Sequence, residues 1–167
     1  MVGVHLSGKK KAKKKRQTFD VPGHAHLLTF SCYRRRPYFG SDEAKDAFLE
    51  CLAASKKRLG FEVIAYVVMP EHVHLLVFPK DGLKVRSVLQ SVKQPVAQRL
   101  GVRGEKFWQP GGGHDRNVHS RKAAGTVIDY IHDNPVVQGL CAVREEYRWS
   151  SARWYADRTG PVEVDPW

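Results

Sequence analysis

The sequence has few of the features that mark secreted, disulfide-linked or membrane-spanning proteins. It contains three cysteines in 167 residues, Cys32, Cys51 and Cys141, and no Cys-x-x-Cys pair, so neither a disulfide framework nor a cysteine zinc site is expected. No apolar run approaches the roughly 20 residues that span a bilayer. The basic N-terminal segment is not followed by the apolar stretch of a secretory signal. We therefore expect a cytoplasmic protein with free thiols and no membrane partner.

Acidic residues are absent from the first 16 positions, which hold seven of the 28 Lys and Arg residues. A basic block of this kind repels itself, so residues 1–17 are predicted to be a disordered tail and residues 18–167 a single domain. The block is either a solubility tail or a nonspecific nucleic-acid arm. It carries seven of the net +11 charges, which leaves +4 for the domain. A net positive charge is typical of proteins that bind a polyanion, most often nucleic acid.

Hydrophobic periodicity predicts an α+β domain with the element order strand, helix, strand, strand, helix, strand, helix. The first six elements match a ferredoxin-like split βαβ arrangement with a central antiparallel sheet. Helices would cover one face of the sheet and leave the other for a ligand or a further helix. Pro95 predicts a kink or break in the second helix, and Pro135 predicts the end of the third. The predicted strands are Ala25–Tyr33, Phe61–Met69, His72–Phe78 and Asp115–His119. The first predicted helix follows an N-cap at Ser41 and is stopped by Gly60, the second is Leu83–Leu100, and the third follows a cap at Ser120 and runs to about Asn134.

Two histidines on the third predicted strand form a candidate metal site. His72 and His74 are two residues apart, so strand alternation places both rings on one face of the sheet. The spacing alone is a weak signal, because His24 and His26 repeat it before the first strand and could lie near the same site. No further His or Cys follows at zinc-finger spacing. Two imidazoles and one oxygen ligand would suit Mg²⁺ or Mn²⁺ holding a phosphate.

A tyrosine and an asparagine share a face of the third predicted helix. Tyr130 and Asn134 are four residues apart, which places them one turn from each other. A tyrosine hydroxyl can attack a phosphodiester and store the bond as phosphotyrosine, and the Asn134 amide could supply a third metal ligand. The alternative is a plain helix end, with Asn134 before Pro135 and Tyr130 as a half-buried aromatic residue.

Three ordered blocks of the sequence resemble a known family. The His72–His74 pair lies within YVVMPEHVHLLV, residues 66–77, which looks like the HUH motif of single-tyrosine transposases. The segments WQPGGGHDRN, residues 108–117, and DYIHDNPVVQGL, residues 129–140, resemble later blocks of the same family, as does the WSSA segment at residues 149–152. The chain is most similar to the REP-associated tyrosine transposases, relatives of the IS200/IS605 transposases, over roughly residues 23–155.

The resemblance implies an HUH fold with a C-terminal tyrosine-bearing helix and a defined set of roles. It implies that Tyr130 is the nucleophile and that His72, His74 and Asn134 bind a catalytic Mg²⁺ or Mn²⁺. Glu71 receives no role, and His114 stands where many relatives have an aromatic residue. The implied activity is cleavage and rejoining of single-stranded DNA near hairpins through a 5′-phosphotyrosine, by a monomer or a homodimer.

Two other functions remain open at the level of the sequence. One is a catalytically silent regulator that binds hairpin DNA, and the other is a metal-dependent nuclease that uses water. All three functions require contacts to DNA, which would combine neutralisation of the backbone with stacking on bases. The candidates for these contacts are Arg34, Arg35, Arg36, Lys93, Trp108 and Arg116.

Overall fold

This computed structural model describes residues 20–80, 82–101, 104–111 and 113–167, which contain four antiparallel strands and four α-helices. The predicted basic tail, residues 1–17, lies outside the described residues, and the single-domain boundary at residue 18 stays a prediction. The strands are β1 (Ala25–Ser31), β2 (Glu62–Val68), β3 (His72–Phe78) and β4 (His114–Val118), and the helices are α1 (Asp42–Leu59), α2 (Val85–Leu100), α3 (Arg121–Val137) and α4 (Ala152–Asp157).

The strands form one sheet in the order β2-β3-β1-β4, with every neighbouring pair antiparallel. This order and the βαββαβ sequence of elements are those of a ferredoxin-like split βαβ fold, which confirms the predicted fold class. β3 lies inside the sheet between β2 and β1. The residues that it carries are therefore held by hydrogen bonds on both sides.

Local sequence signals set the ends of α1 as predicted. The Ser41 hydroxyl accepts a hydrogen bond from the Ala44 amide at 3.2 Å, and Asp42 and Glu43 lie in the first turn. A side-chain oxygen and negative charges are stabilising there because the first amides of a helix lack partners inside it. Gly60 ends the helix with φ of 72°, a left-handed conformation that glycine adopts without strain.

Both faces of the sheet are covered by helices. Alternate residues of β1 and β3, such as Phe30 and Leu75, pack against α1 and α2 in one apolar cluster. The opposite face packs against α3 in a second cluster, where Val127 and Ile131 contact β2 and its neighbours. The predicted further helix on the second face is thus α3. Double coverage also explains why the second strand is apolar at almost every position.

Neither proline ends its helix. The predicted end of α3 at Pro135 is wrong, and of the two alternatives predicted at Pro95 the break does not occur. α2 continues through Pro95, and α3 continues through Pro135 to Val137. Proline cannot donate to the carbonyl four residues earlier, which for Pro95 is the carbonyl of Ser91. The buried Ser55 hydroxyl of α1 donates to that carbonyl at 2.7 Å, so a side chain replaces the missing backbone bond.

Pro135 is tolerated for a different reason. It is buried and continues the apolar stripe of Val127 and Ile131 at four-residue spacing. Packing of this stripe against the sheet stabilises the helical path beyond the point where local propensity would end it. The extra residues extend α3 past Asn134 and hold that side chain within a regular turn.

No helix among the described residues is long and apolar enough to cross a lipid bilayer.

Candidate functional site

His72 and His74 lie side by side on β3 and point to the face of the sheet that α3 covers. Their Nε2 atoms are 3.1 Å apart, and the two residues are 7% and 4% exposed. The intervening Val73 packs in the cluster on the other face. The structure therefore brings the two imidazoles together on one face, in agreement with the alternation argument.

Each ring has a hydrogen-bond partner on its far side, and the partner of His72 selects the tautomer of that ring. The Nδ1 atom of His72 is 2.9 Å from Oε1 of Glu71, and Nδ1 of His74 is 2.8 Å from the hydroxyl of Thr29. A carboxylate only accepts hydrogen bonds, so the His72 proton lies on Nδ1. The Thr29 hydroxyl can accept from Nδ1 of His74 or donate to it. Where it accepts, both Nε2 lone pairs face one another. Two such acceptors at 3.1 Å repel unless a cation or a proton is shared between them.

Burial keeps both imidazoles neutral. It lowers the pKa of His74 to about 3, aided by the positive charge that His72 would carry when protonated. Burial also lowers the pKa of His72, although Glu71 opposes the shift. The Glu71 carboxyl has a lowered pKa, because its bonds with His72 and Arg35 outweigh the effect of its partial burial. A metal ligand must be a neutral imidazole, so the pair needs no deprotonation to bind one.

Helix α3 brings a phenol and an amide to the histidine pair. The Tyr130 hydroxyl is 3.4 Å from Nε2 of His74, and the two rings meet edge to face at 5.1 Å. The Asn134 amide nitrogen is 3.3 Å from the same Nε2. Tyr130 is 51% exposed, so its hydroxyl is open to a ligand that approaches from solvent. The helical spacing thus aligns both residues with the pair, as predicted.

The residues present fit a small divalent cation. Two ligand atoms about 2.1 Å from an octahedral ion and at right angles to each other are about 3 Å apart, which matches the two Nε2 atoms of His72 and His74. The Oδ1 atom of Asn134 is buried and has no hydrogen-bond partner in the described part of the chain. No group of three or more His, Cys, Asp or Glu in the described ranges is arranged to hold a metal. The third protein ligand would therefore be the Asn134 amide oxygen, once the amide turns to exchange it with the nitrogen that lies 3.3 Å from Nε2 of His74.

Two contacts that fix α3 were missed by the sequence analysis. Buried His132 lies 2.8 Å through Nε2 from the Ser151 hydroxyl, which also accepts from the Tyr66 amide of β2. Arg144 binds the carboxylates of Asp129 and Asp133 at 2.9 and 2.7 Å. The WSSA segment at 149–152 therefore acts as a bridge between β2 and the tyrosine helix. Its similarity to the family was the only sequence signal for this role.

The three consecutive arginines after β1 lie at the end of the sheet beside Glu71. All three are exposed. Arg35 forms an ion pair with Glu71 at 2.8 Å, and Arg36 lies 3.4 Å from Glu105. Arg34 packs its guanidinium over the Tyr33 ring at 5.2 Å. Arg35 is thus linked to the histidine site through Glu71, a residue to which the sequence gave no role.

The remaining predicted DNA contacts are divided between the two faces of the sheet. Arg116 is exposed on β4 and pairs in register with Leu27, whose side chain packs on the α3 face with the histidine site. Trp108 lies on the other face, where its indole contacts Phe30 edge to face and donates to the Lys93 carbonyl at 2.8 Å. The Lys93 ammonium in turn lies 5.2 Å from the Trp108 ring. Contacts of Trp108 and Lys93 with DNA stay predictions. Both residues lie on the face of the sheet opposite the histidine site.

The other His-x-His pair is not part of the site. His26 points toward the face covered by α1 and α2, and its Nδ1 lies 3.0 Å from Asp115 in a pair that is almost fully buried. By contrast, His114 pairs with Thr29, which pairs with His74 on its other side. His114 is therefore exposed on the same face as the site, two strands away from His74.

The chain is similar to a family of transposases and to solved transposase structures. The family model described as "Transposase IS200 like" matches residues 22–134. A solved structure of a REP-associated tyrosine transposase bound to a REP hairpin aligns with a TM-score of 0.76 at 21% identity, over 92% of each chain. A putative transposase from Deinococcus radiodurans R1 aligns with a TM-score of 0.48 at 21% identity, over 72% of this chain and 97% of that chain. A comparison with functionally curated proteins gave no match.

An antiparallel sheet of this topology, with a His-x-His pair on an inner strand facing a tyrosine-bearing helix, defines an HUH-type fold. The family match spans more than half of the chain and includes the histidine pair, Tyr130 and Asn134. The chain belongs to the IS200-like transposase family.

Proposed function

We propose that this transposase cleaves and rejoins single-stranded DNA at hairpin-associated sites through a covalent 5′-phosphotyrosine on Tyr130. In this proposal His72, His74 and Asn134 hold Mg²⁺ or Mn²⁺. The observation that carries it is the 3.4 Å approach of the Tyr130 hydroxyl to Nε2 of His74 within one chain. A nucleophile and a set of metal ligands thus share one place on the surface.

Each residue contributes a distinct part of the chemistry. The Tyr130 oxygen attacks the phosphorus of a backbone phosphate, and the bond from phosphorus to the 3′ oxygen breaks. The phenol proton passes to solvent, and the departing 3′ oxygen takes a proton from solvent. The products are a 5′-phosphotyrosine and a free 3′-hydroxyl. A divalent ion supplies positive charge that polarises the phosphate. Rejoining reverses the bond changes when a 3′-hydroxyl attacks the phosphotyrosine, so no ATP is consumed.

The substrate class is supported by the fold match and by the charges near the site. The solved relative with a TM-score of 0.76 is bound to a REP hairpin, and a hairpin with single-stranded flanks is the corresponding partner proposed here. Arg116 lies on the same face as the histidine pair, and Arg34 and Arg36 lie exposed at the neighbouring end of the sheet. Arginine at such positions would neutralise backbone phosphates without reading the sequence.

The test is a covalent-adduct assay. The protein is incubated with Mn²⁺ and a pool of hairpin oligonucleotides whose single-stranded flanks are randomised, and the products are separated on a denaturing gel. Because the proposed intermediate is a 5′-phosphotyrosine, the adduct should carry a label placed at the 3′ end of the DNA. A label at the 5′ end should instead appear on a released shorter strand. Chelation of Mn²⁺ should abolish both products.

The Tyr130→Phe variant should form no adduct and should not cut the DNA. Tyr38→Phe is the matched control, because it removes a hydroxyl whose partner among the described residues is Arg36, at 3.4 Å. An adduct that persists in Y130F would contradict the assignment of the nucleophile. Cleavage without an adduct would favour a nuclease that uses water, and hairpin binding without cleavage would favour a silent regulator.

A further inference from the structure

The Glu71 carboxylate lies between Arg35 and the first histidine of the pair. Its Oε1 atom is 2.9 Å from Nδ1 of His72 and 2.8 Å from Nη2 of Arg35. The carboxylate accepts both hydrogen bonds, so Nδ1 of His72 carries the ring proton. The opposite ring atom, Nε2, then presents its lone pair toward His74, 3.1 Å away.

The backbone around Glu71 leaves the carboxylate little freedom. Glu71 occupies the short connection between β2 and β3, which is closed by a bond from the Met69 amide to the His72 carbonyl at 2.8 Å. The Glu71 carbonyl accepts from the Cys32 amide at 2.9 Å, and the Pro70 carbonyl accepts from the Phe39 amide at 2.9 Å. The connection is thus tied both to the end of β1 and to the segment that leads into α1. A side chain on so fixed a backbone can orient a neighbouring ring.

Arg35 reaches Glu71 from an uncommon backbone conformation. Its φ is 52°, and Arg34 before it has φ of 54°, values that residues other than glycine adopt at a cost. The Arg35 amide donates to the Cys32 carbonyl at 3.0 Å, which holds the turn in this shape. The Arg35 side chain remains 64% exposed, whereas the Glu71 side chain is 26% exposed. Local backbone strain of this kind is found preferentially at functional sites.

We propose that Glu71 is a positioning residue for His72, which it fixes in the Nδ1–H tautomer, and that Arg35 holds the carboxylate in place. The inference rests on the proposed function, in which Nε2 of His72 is a metal ligand. It parallels the bond from His74 to Thr29, so each histidine has its own partner on the far side. Ligand histidines generally depend on such partners for ring orientation and basicity.

The direct test reads the tautomer of His72 in the metal-free full-length chain. Protein labelled with ¹⁵N in histidine is examined by long-range ¹H–¹⁵N NMR, which distinguishes a protonated Nδ1 from a protonated Nε2. The wild-type protein should show His72 as Nδ1–H. Glu71→Ala should shift His72 toward Nε2–H. Glu71→Leu preserves the bulk of the side chain and cannot accept a hydrogen bond, so it carries the same test if the alanine variant does not fold.

The matched control is Glu105→Ala. This variant removes a carboxylate of a different loop, between α2 and β4, that contacts Arg36 at 3.4 Å and not His72. The tautomer of His72 should be the same as in the wild-type protein. If E105A changes the tautomer of His72 as E71A does, the loss of a negative charge at either position is sufficient. That result would overturn a specific role for Glu71.

A second measurement follows Mn²⁺ affinity by the electron paramagnetic resonance signal of the free ion. E71A and E71L should bind Mn²⁺ about 10 to 100 times more weakly than the wild-type chain, as is typical when such a partner is lost. Glu71→Gln should fall between them and the wild type, because its amide oxygen still accepts from Nδ1. Arg35→Ala should weaken binding less than E71A.

The outcomes separate this inference from the proposed function. If His72 keeps the Nδ1–H tautomer in E71A and E71L, the positioning role is overturned, whatever the wild-type affinity for Mn²⁺. If the wild-type protein shows the expected tautomer but binds no Mn²⁺, the metal-binding part of the proposed function is overturned and the effect of Glu71 on His72 stands.

Discussion

The hydroxyl of Tyr130 and Nε2 of His74 lie 3.4 Å apart in the same chain, although 56 positions separate the two residues in the sequence. The contact exists because α3 folds back over the face of the sheet that carries the histidine pair. It is fixed there by the buried Val127 and Ile131 and by the bond of His132 to Ser151. One chain therefore contains every residue of the proposed site.

This arrangement predicts that the site acts within a single chain. A mixture of His74→Ala protein and Tyr130→Phe protein should form no covalent adduct, because each chain lacks one half of its own site. The measurement is the 3′-label adduct assay, with the wild-type protein at half concentration as the positive control. Recovery of adduct in the mixture would show that chains exchange the tyrosine helix.

The buried histidines predict that stability falls as the solution becomes mildly acidic. Burial, with the nearby charge of Arg144, lowers the pKa of His132 to about 4, whereas an imidazole in the unfolded chain has a pKa of about 6.5. As the pH falls, the unfolded state therefore binds the proton before the folded state does. The contribution of neutral, buried His132 to stability is complete above about pH 6.5 and is lost as the pH falls toward 4. For His132 alone the loss between pH 7 and pH 5 is about 2 kcal/mol.

Urea unfolding at stepped pH in the presence of a chelator measures this loss. In His132→Gln the fall between pH 7 and pH 5 should be smaller by about that amount, about 2 kcal/mol. His119→Gln is the control, because His119 is exposed, and its pH dependence should match that of the wild type. An H132Q protein with an unchanged pH dependence would contradict the role given to burial.

The bond between the Ser55 hydroxyl and the Ser91 carbonyl predicts a coupled effect on stability. Ser55→Ala should lower the free energy of unfolding by about 1 to 3 kcal/mol, because the carbonyl opposite Pro95 loses its partner. In a Pro95→Ala background the restored amide of residue 95 can donate to that carbonyl within the helix. The cost of Ser55→Ala should therefore shrink in the double variant, as measured by a thermodynamic cycle.

Ser87→Ala is the control for this cycle, because Ser87 is exposed on the same helix. Its cost should be small in both backgrounds. Equal costs of Ser55→Ala with and without Pro95 would show that the hydroxyl does not replace the missing backbone bond.

Features that depend on neighbours in the chain were predictable from the sequence. The cap at Ser41, the left-handed Gly60 and the strand over His72–Phe78 are set by a few adjacent residues, and the structure confirms them. The pairing of His72 with His74 follows from the two-residue repeat of a strand, and that of Tyr130 with Asn134 from the turn of a helix. The resemblance of three separate blocks gave the family, which the match over residues 22–134 confirms.

The tertiary structure determined the contacts that local periodicity cannot predict. It placed α3 on the second face of the sheet and so joined Tyr130 to His74, while turning His26 to the opposite face against Asp115. It kept α2 helical through Pro95 with a hydroxyl from α1. It also gave Glu71 and Thr29 their places behind the two imidazoles. These contacts join residues distant in sequence, and they form because the packing of the two apolar clusters fixes how the elements meet.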